Sequence, residues 1–150
     1  MNRITYLSLI FIALSIFSAC QNTESKDSKE QNIVTVDNDS ISINTILVYY
    51  FHGSIRCHTC VSVDEDTHQY IKDLFPVKLD KGNIIFKSIN IDENESPDLI
   101  EKYQIYGQTL LFIKGDKIID LTEDAFKYVT TSPEKWKQIV DDNLIDLMNS

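Results

Sequence analysis

The sequence predicts an α/β domain built on a central mixed β-sheet flanked by helices, and three observations carry the prediction. Runs of β-branched and aromatic residues alternate with segments whose apolar residues recur at helical spacing, in the order strand, helix, strand, helix, hairpin, helix. Gly115-Asp116 joins two β-type runs as a two-residue hairpin, so the last strands are antiparallel. Cys57-His58-Thr59-Cys60 lies where the first strand gives way to the first helix, the kind of junction at which open α/β sheets place their sites.

Ahead of that domain, residues 1–20 combine a short basic start at Arg3, an apolar stretch over 4–17 and Ser18-Ala19-Cys20, the layout of a secretory signal. A cysteine directly after the small pair resembles the lipobox of bacterial lipoproteins, in which that cysteine is lipidated and becomes the mature N-terminus. Phe17 departs from the usual Leu three residues earlier. An apolar run of about 14 residues falls short of the roughly 20 that a bilayer crossing needs, which argues against a single-span anchor. The resemblance implies a signal peptide at 1–19 and a lipid such as palmitate on Cys20. It also implies a chain tethered to a membrane of the bacterial cell envelope, facing outside the cytoplasm.

Residues 20–40 hold that cysteine and a polar, charged stretch that is apolar only at Ile33, Val34 and Val36, too little to order itself, and are expected to be a disordered tether. Residues 41–150 then form one domain. The formal charge of −9 becomes −10 without residues 1–19, whose one charged residue is Arg3. So acidic a chain is a poor partner for nucleic acid and for anionic head groups, both of which require clustered Lys and Arg. With Cys20 assigned to the anchor, Cys57 and Cys60 remain. A small secreted domain stapled by disulfides carries several at scattered spacings, so a lone adjacent pair points to chemistry.

Within the domain, residues 41–51 (ISINTILVYYF) predict a strand whose near-continuous apolar end is covered on both faces, as in a parallel sheet. From Cys57 to position 75, Cys60, Val63, Tyr70, Ile71 and Leu74 keep helical spacing, and Pro76 is expected to close that helix. Residues 84–91 alternate as a second strand. Ser96-Pro97 supplies an N-cap and a first-turn proline for a short helix reaching about 105. Residues 108–114 and 117–121 flank the hairpin turn, and 123–130 suggest a single helical turn. Thr131-Ser132-Pro133-Glu134 combines a capping box with a helix-starting proline, and Trp136, Ile139, Val140, Leu144 and Leu147 form one apolar stripe of a final helix.

On a first helical turn, i, i+3 spacing brings two sulfurs within bonding reach, which makes Cys57 and Cys60 candidate catalytic residues and a candidate redox disulfide. Free N–H groups and the positive end of the macrodipole favour a thiolate there, and Cys57 gains most. Arg56 and His58 on either side add candidate positive charge, and such surroundings bring a thiol from about 8.5 down to roughly 3.5–7.5. Cys60, deeper and one turn along, is placed to attack a mixed disulfide and release the product.

These residues resemble the thioredoxin superfamily over about 43–148, through the dithiol and through a second landmark over 103–116 (YQIYGQTLLFIKGD), before and within the third core strand. More narrowly, Tyr49-Tyr50-Phe51-His52-Gly53 with Arg56-Cys57 and Thr59-Cys60 resembles the thioredoxin-like proteins of the nitrophenyl compound nitroreductase subunit ArsF family. The resemblance implies a thioredoxin-like fold and, as substrate, a protein or small-molecule thiol or disulfide. It implies no cofactor, since the chain has no flavin or nucleotide fingerprint. Two positions depart from the superfamily. Gln108 stands where thioredoxins have a cis-proline facing the dithiol. A non-proline cis bond costs about 2.5–4 kcal/mol, so the 107–108 peptide is expected to be trans and substrate docking to differ. The buried acid of the strand before the dithiol is also missing, which leaves His52 as the candidate base for Cys60.

The same cysteines have two further readings. Cys57, Cys60 and His58, with His52 nearby, offer ligands for a soft metal or metalloid such as copper(I), or for zinc, although no distant cysteine completes a closed structural site. The other reading is an inert surface disulfide. Elsewhere, His68 is expected to be exposed or packed, and Trp136, Tyr49, Tyr50 and Phe51 to be core. Asp92-Glu93-Asn94-Glu95 lacks the alternating oxygen ligands of a calcium loop and reads as a solvated turn.

Overall fold

A computed structural model of the chain describes residues 44–150. The expected signal segment over 1–19, the expected lipidation site Cys20, the expected tether over 20–40 and positions 41–43 of the expected first strand lie outside the described residues. The elements in order are β1 (Ile46–His52), α1 (His58–Leu74), α2 (Pro76–Asp80), β2 (Ile84–Asn90), α3 (Pro97–Lys102), β3 (Thr109–Lys114), β4 (Lys117–Asp120), α4 (Thr122–Tyr128) and α5 (Pro133–Asn149). The strand order is β2-β1-β3-β4. β1 pairs in parallel with β2, His52 opposite Asn90, and antiparallel with β3, which pairs antiparallel with β4. A strand–helix–strand unit followed by a hairpin and a closing helix on one mixed sheet is a thioredoxin-like α/β fold.

β1 is central, and its period of two sends alternate side chains to opposite layers. Ile46, Val48 and Tyr50 enter one core with Val63 and Ile71 of α1 and with Trp136, Val140, Leu144 and Leu147 of α5. Leu47, Tyr49 and Phe51 enter the other with Ile89, Ile105, Leu111 and Ile113. This double cover is what the uninterrupted apolar run required. Trp136 is fully buried, and its indole N–H donates to the buried Thr67 hydroxyl at 3.2 Å, so α5 is joined to α1 by a satisfied polar pair inside the core. A polar residue, Thr67 had no place in the predicted apolar stripe.

The structure corrects or extends several local expectations. Pro76 stands just past the end of α1 as expected, and it also opens α2, because at the first helical position its missing N–H is one that has no helical partner anyway. Ser96 precedes α3 in left-handed backbone (φ 56) without a side-chain cap, and its hydroxyl oxygen accepts from Lys87 Nζ at 2.8 Å instead. No capping box forms at α5: Ser132 makes no side-chain cap, and the Thr131 hydroxyl donates to the Lys127 carbonyl. The stretch after β4 is a helix of 7 residues, since Leu121, Ala125 and Val129 all reach the core. Gly115 has a φ of 55, as the predicted tight turn demands.

Candidate active site

β1 delivers the chain to the rim of the sheet, and the loop from Gly53 to Cys57 turns it into α1. The turn after β2 holds that loop. Asp92 Oδ2 accepts from the Ser54 N–H at 2.7 Å, Asn90 Nδ2 donates to Ser54 Oγ at 3.0 Å, and the Ile91 N–H donates to the His52 carbonyl at 2.9 Å. A Cβ on Gly53 would stand 3.0 Å from Asp92 Oδ2, so glycine permits the close approach. The acidic turn is exposed as expected, and Asp92 also clamps the dithiol loop.

Cys57 is the N-cap of α1, in extended backbone (φ −77, ψ 166) and exposed, and its Sγ accepts from the Cys60 N–H at 3.1 Å. The sulfur thus occupies the place of a capping oxygen, against N–H groups that have no partner within the helix. Cys60 is 2 % exposed. The two cysteines form a disulfide, with Cα atoms 5.0 Å apart.

Arg56 Nη2 donates to Asp64 Oδ2 at 2.7 Å and to the Cys60 carbonyl at 3.2 Å, and the guanidinium lies 5.8 Å from the centroid of the Tyr50 ring. Asp64 also accepts from Ser88 Oγ of β2 at 2.8 Å. The positive charge expected beside Cys57 is therefore paired with a carboxylate of α1. Tyr50 is fully buried, and its hydroxyl has no hydrogen-bond partner among the described residues. Burial pushes its phenol up to about 12, with Arg56 pulling it down and Asp64 adding to the rise.

His52 Nδ1 donates to the Gly53 carbonyl at 2.9 Å, and its ring lies 5.7 Å from that of Tyr50. His58 is exposed on the first turn of α1. Gln108, in the loop leading into β3, reaches the buried sulfur: Nε2 donates to Cys60 Sγ at 3.3 Å, and Oε1 lies 3.5 Å from it. Gln108 is the side chain hydrogen-bonded to that sulfur, while His52, the candidate base, has its Nδ1 on the Gly53 carbonyl. Among the described residues no group of three or more His, Cys, Asp or Glu side chains is gathered where it could hold a metal ion, with Cys57 and Cys60 joined to each other. His68 is exposed and stacks on Phe86 at 4.6 Å. Sequence reasoning missed Asp64, Ser88 and Asp92. Of these, only Asp64 carried a signal, as an acid one helical turn after Cys60.

Neither a protein-family model nor a curated protein matches the chain. Solved structures do match it. A malarial protein is similar over 71% of this chain and 96% of its own, at 17% identity and a TM-score of 0.42. A thioredoxin of Fasciola hepatica is similar over 51% of this chain and 65% of its own, at 20% identity and a TM-score of 0.37. The zinc-bound form of human ERp44 is similar over 58% of this chain, at 15% identity and a TM-score of 0.41, and the match spans 26% of that protein.

Proposed function

We propose that the chain exchanges dithiol and disulfide through Cys57 and Cys60. The observation that supports this best is the asymmetry of the pair, one sulfur exposed at a helix N-cap and the other 2 % exposed behind it. In the reducing direction, the Cys57 thiolate attacks one sulfur of a substrate disulfide, a mixed disulfide forms, and the other substrate sulfur leaves as thiolate. Cys60 then gives up its proton and attacks Cys57 Sγ, which closes the Cys57–Cys60 disulfide and releases the second substrate thiolate. The dithiol loses two electrons and two protons, the substrate gains them, and the reverse sequence oxidises a substrate dithiol. N–H groups at the helix start stabilise Cys57 as attacking and as leaving thiolate.

The substrate is a protein or small-molecule thiol or disulfide. The dithiol motif's likeness to the ArsF family supports the same chemistry and adds no cofactor. The chain is lipid-anchored through Cys20, outside the cytoplasm of a bacterial cell, a placement supported by Ser18-Ala19-Cys20 after an apolar stretch and by the polar segment over 21–40.

Insulin-disulfide reduction, with a redox titration of the couple under metal-free conditions, tests the exchange. Native protein should reduce insulin, Cys57→Ser should be inactive, and Cys60→Ser should accumulate a mixed disulfide. Native protein inert toward every disulfide tested, yet binding copper(I) tightly with Cys57-dependent stoichiometry, would overturn the reading in favour of a soft-metal binder.

A further inference from the structure

We propose that Gln108 is the hydrogen-bonding residue that makes the buried sulfur of Cys60 competent to close the disulfide. The inference rests on the exchange reading above and adds a residue to its second step.

Cys60 is 2 % exposed, so water cannot solvate its thiolate, and an anionic sulfur in that position needs a protein donor. Its own N–H is turned toward Cys57 Sγ at 3.1 Å. The nearby guanidinium of Arg56 is engaged with the Cys60 carbonyl and with Asp64. The polar side chain that meets the sulfur is Gln108, with Nε2 at 3.3 Å and Oε1 at 3.5 Å. A carboxamide carries a donor and an acceptor on one rigid plane. Its N–H donates to the sulfur of the disulfide or the thiolate, and its oxygen accepts the S–H of the thiol. One uncharged side chain therefore serves Cys60 in each state it passes through, which neither an apolar residue nor a proline can do.

In the closing step Cys60 Sγ attacks Cys57 Sγ, the mixed-disulfide bond breaks, and the Cys60 proton ends on the departing substrate thiolate. Gln108 exchanges no proton and no electron. It stabilises the attacking anion, so its effect falls on closure and not on the first attack at exposed Cys57.

A small aromatic disulfide, dithiobis(nitrobenzoate), separates the two steps. Attack by Cys57 releases one coloured thionitrobenzoate and closure by Cys60 releases the second, so stopped-flow absorbance resolves two phases. The full chain is used throughout with Cys20→Ser, which keeps a third thiol out of the signal. Gln108→Leu should leave the first phase within about twofold and slow the second by about tenfold or more, the lower end for loss of a hydrogen bond to an anion, with its pH profile moved upward. Gln108→Glu keeps the shape but replaces the donor by a carboxylate, and should slow closure at least as much. It also serves if the Leu variant fails to fold. Unchanged closure in a folded variant would overturn the role of Gln108 and leave exchange intact. Equal slowing of both phases would also overturn it, because Gln108 would then govern access to the pair. Native protein showing neither phase, or both phases persisting in Cys57→Ser, would remove the exchange reading and the inference with it.

Discussion

Arg56 Nη2 lies 2.7 Å from Asp64 Oδ2, and this pair ties the loop before the first sulfur to the turn after the second. The same nitrogen donates to the Cys60 carbonyl, and Ser88 extends the network to β2. With side chains 24% and 14% exposed, neither charge is fully hydrated, so each depends on the other. Asp64→Ala should therefore destabilise the domain by about 1–3 kcal/mol, seen as a lower urea midpoint at unchanged slope. The double variant with Arg56→Met should lose less than the sum of the single losses. Strict additivity would show that the pair is not energetically coupled.

Tyr50 gives stability a predicted dependence on alkaline pH. Its phenol ionises near 10 when unfolded and near 12 when folded, so between those values the unfolded chain has released a proton that the native state retains. Its contribution is full below about pH 10 and is lost as pH rises through about 12. Tyr50→Phe should flatten that decline, and the slope that remains reflects Tyr49 and Tyr70, which burial also raises. Because the Tyr50 hydroxyl has no partner among the described residues, the same change should be neutral or stabilising at neutral pH. A loss of stability there, measured by urea titration, would mean that the hydroxyl is bonded in solution.

The two sulfurs should differ in reactivity, because Cys57 caps α1 in the open while Cys60 is enclosed. In single Cys→Ser variants of the Cys20→Ser chain, iodoacetamide should modify Cys57 at lower pH than Cys60. At neutral pH it should react at least about tenfold faster, as expected of a helix-start thiolate. Identical pH profiles would deny Cys57 the role of attacking thiol.

The strands, the dithiol helix and the closing helix were legible in the sequence because apolar periodicity records which faces are buried. The run over 46–51 announced a doubly covered strand, and Trp136, Val140, Leu144 and Leu147 announced one buried face of α5. Periodicity does not record which polar atoms meet. Ser54 finds Asp92 across 38 positions and Cys60 finds Gln108 across 48, and no local pattern foretells either pairing. Gln108 was singled out only because it departs from a resembled proline. The capping expectations failed for a related reason: hydroxyls have several local partners, and Thr131 took a carbonyl four residues back.

Ile55 and Tyr106 are 93% and 92% exposed, on the loops that carry Cys57 and Gln108. Large apolar side chains gain about 25 cal/mol for each Å² that a partner covers, so two of them on these loops are candidates to rest against a polypeptide substrate. Neither residue is packed, so replacing them should not move the melting temperature. The doubly substituted Ile55→Ser, Tyr106→Ala protein should reduce a small aromatic disulfide within about twofold of native. Its kcat/KM for insulin should fall about tenfold, through KM, since the lost contacts bind without taking part in the chemistry. Equal losses on both substrates would place these residues in the exchange itself. No loss on insulin would show that protein substrates do not rest on these loops.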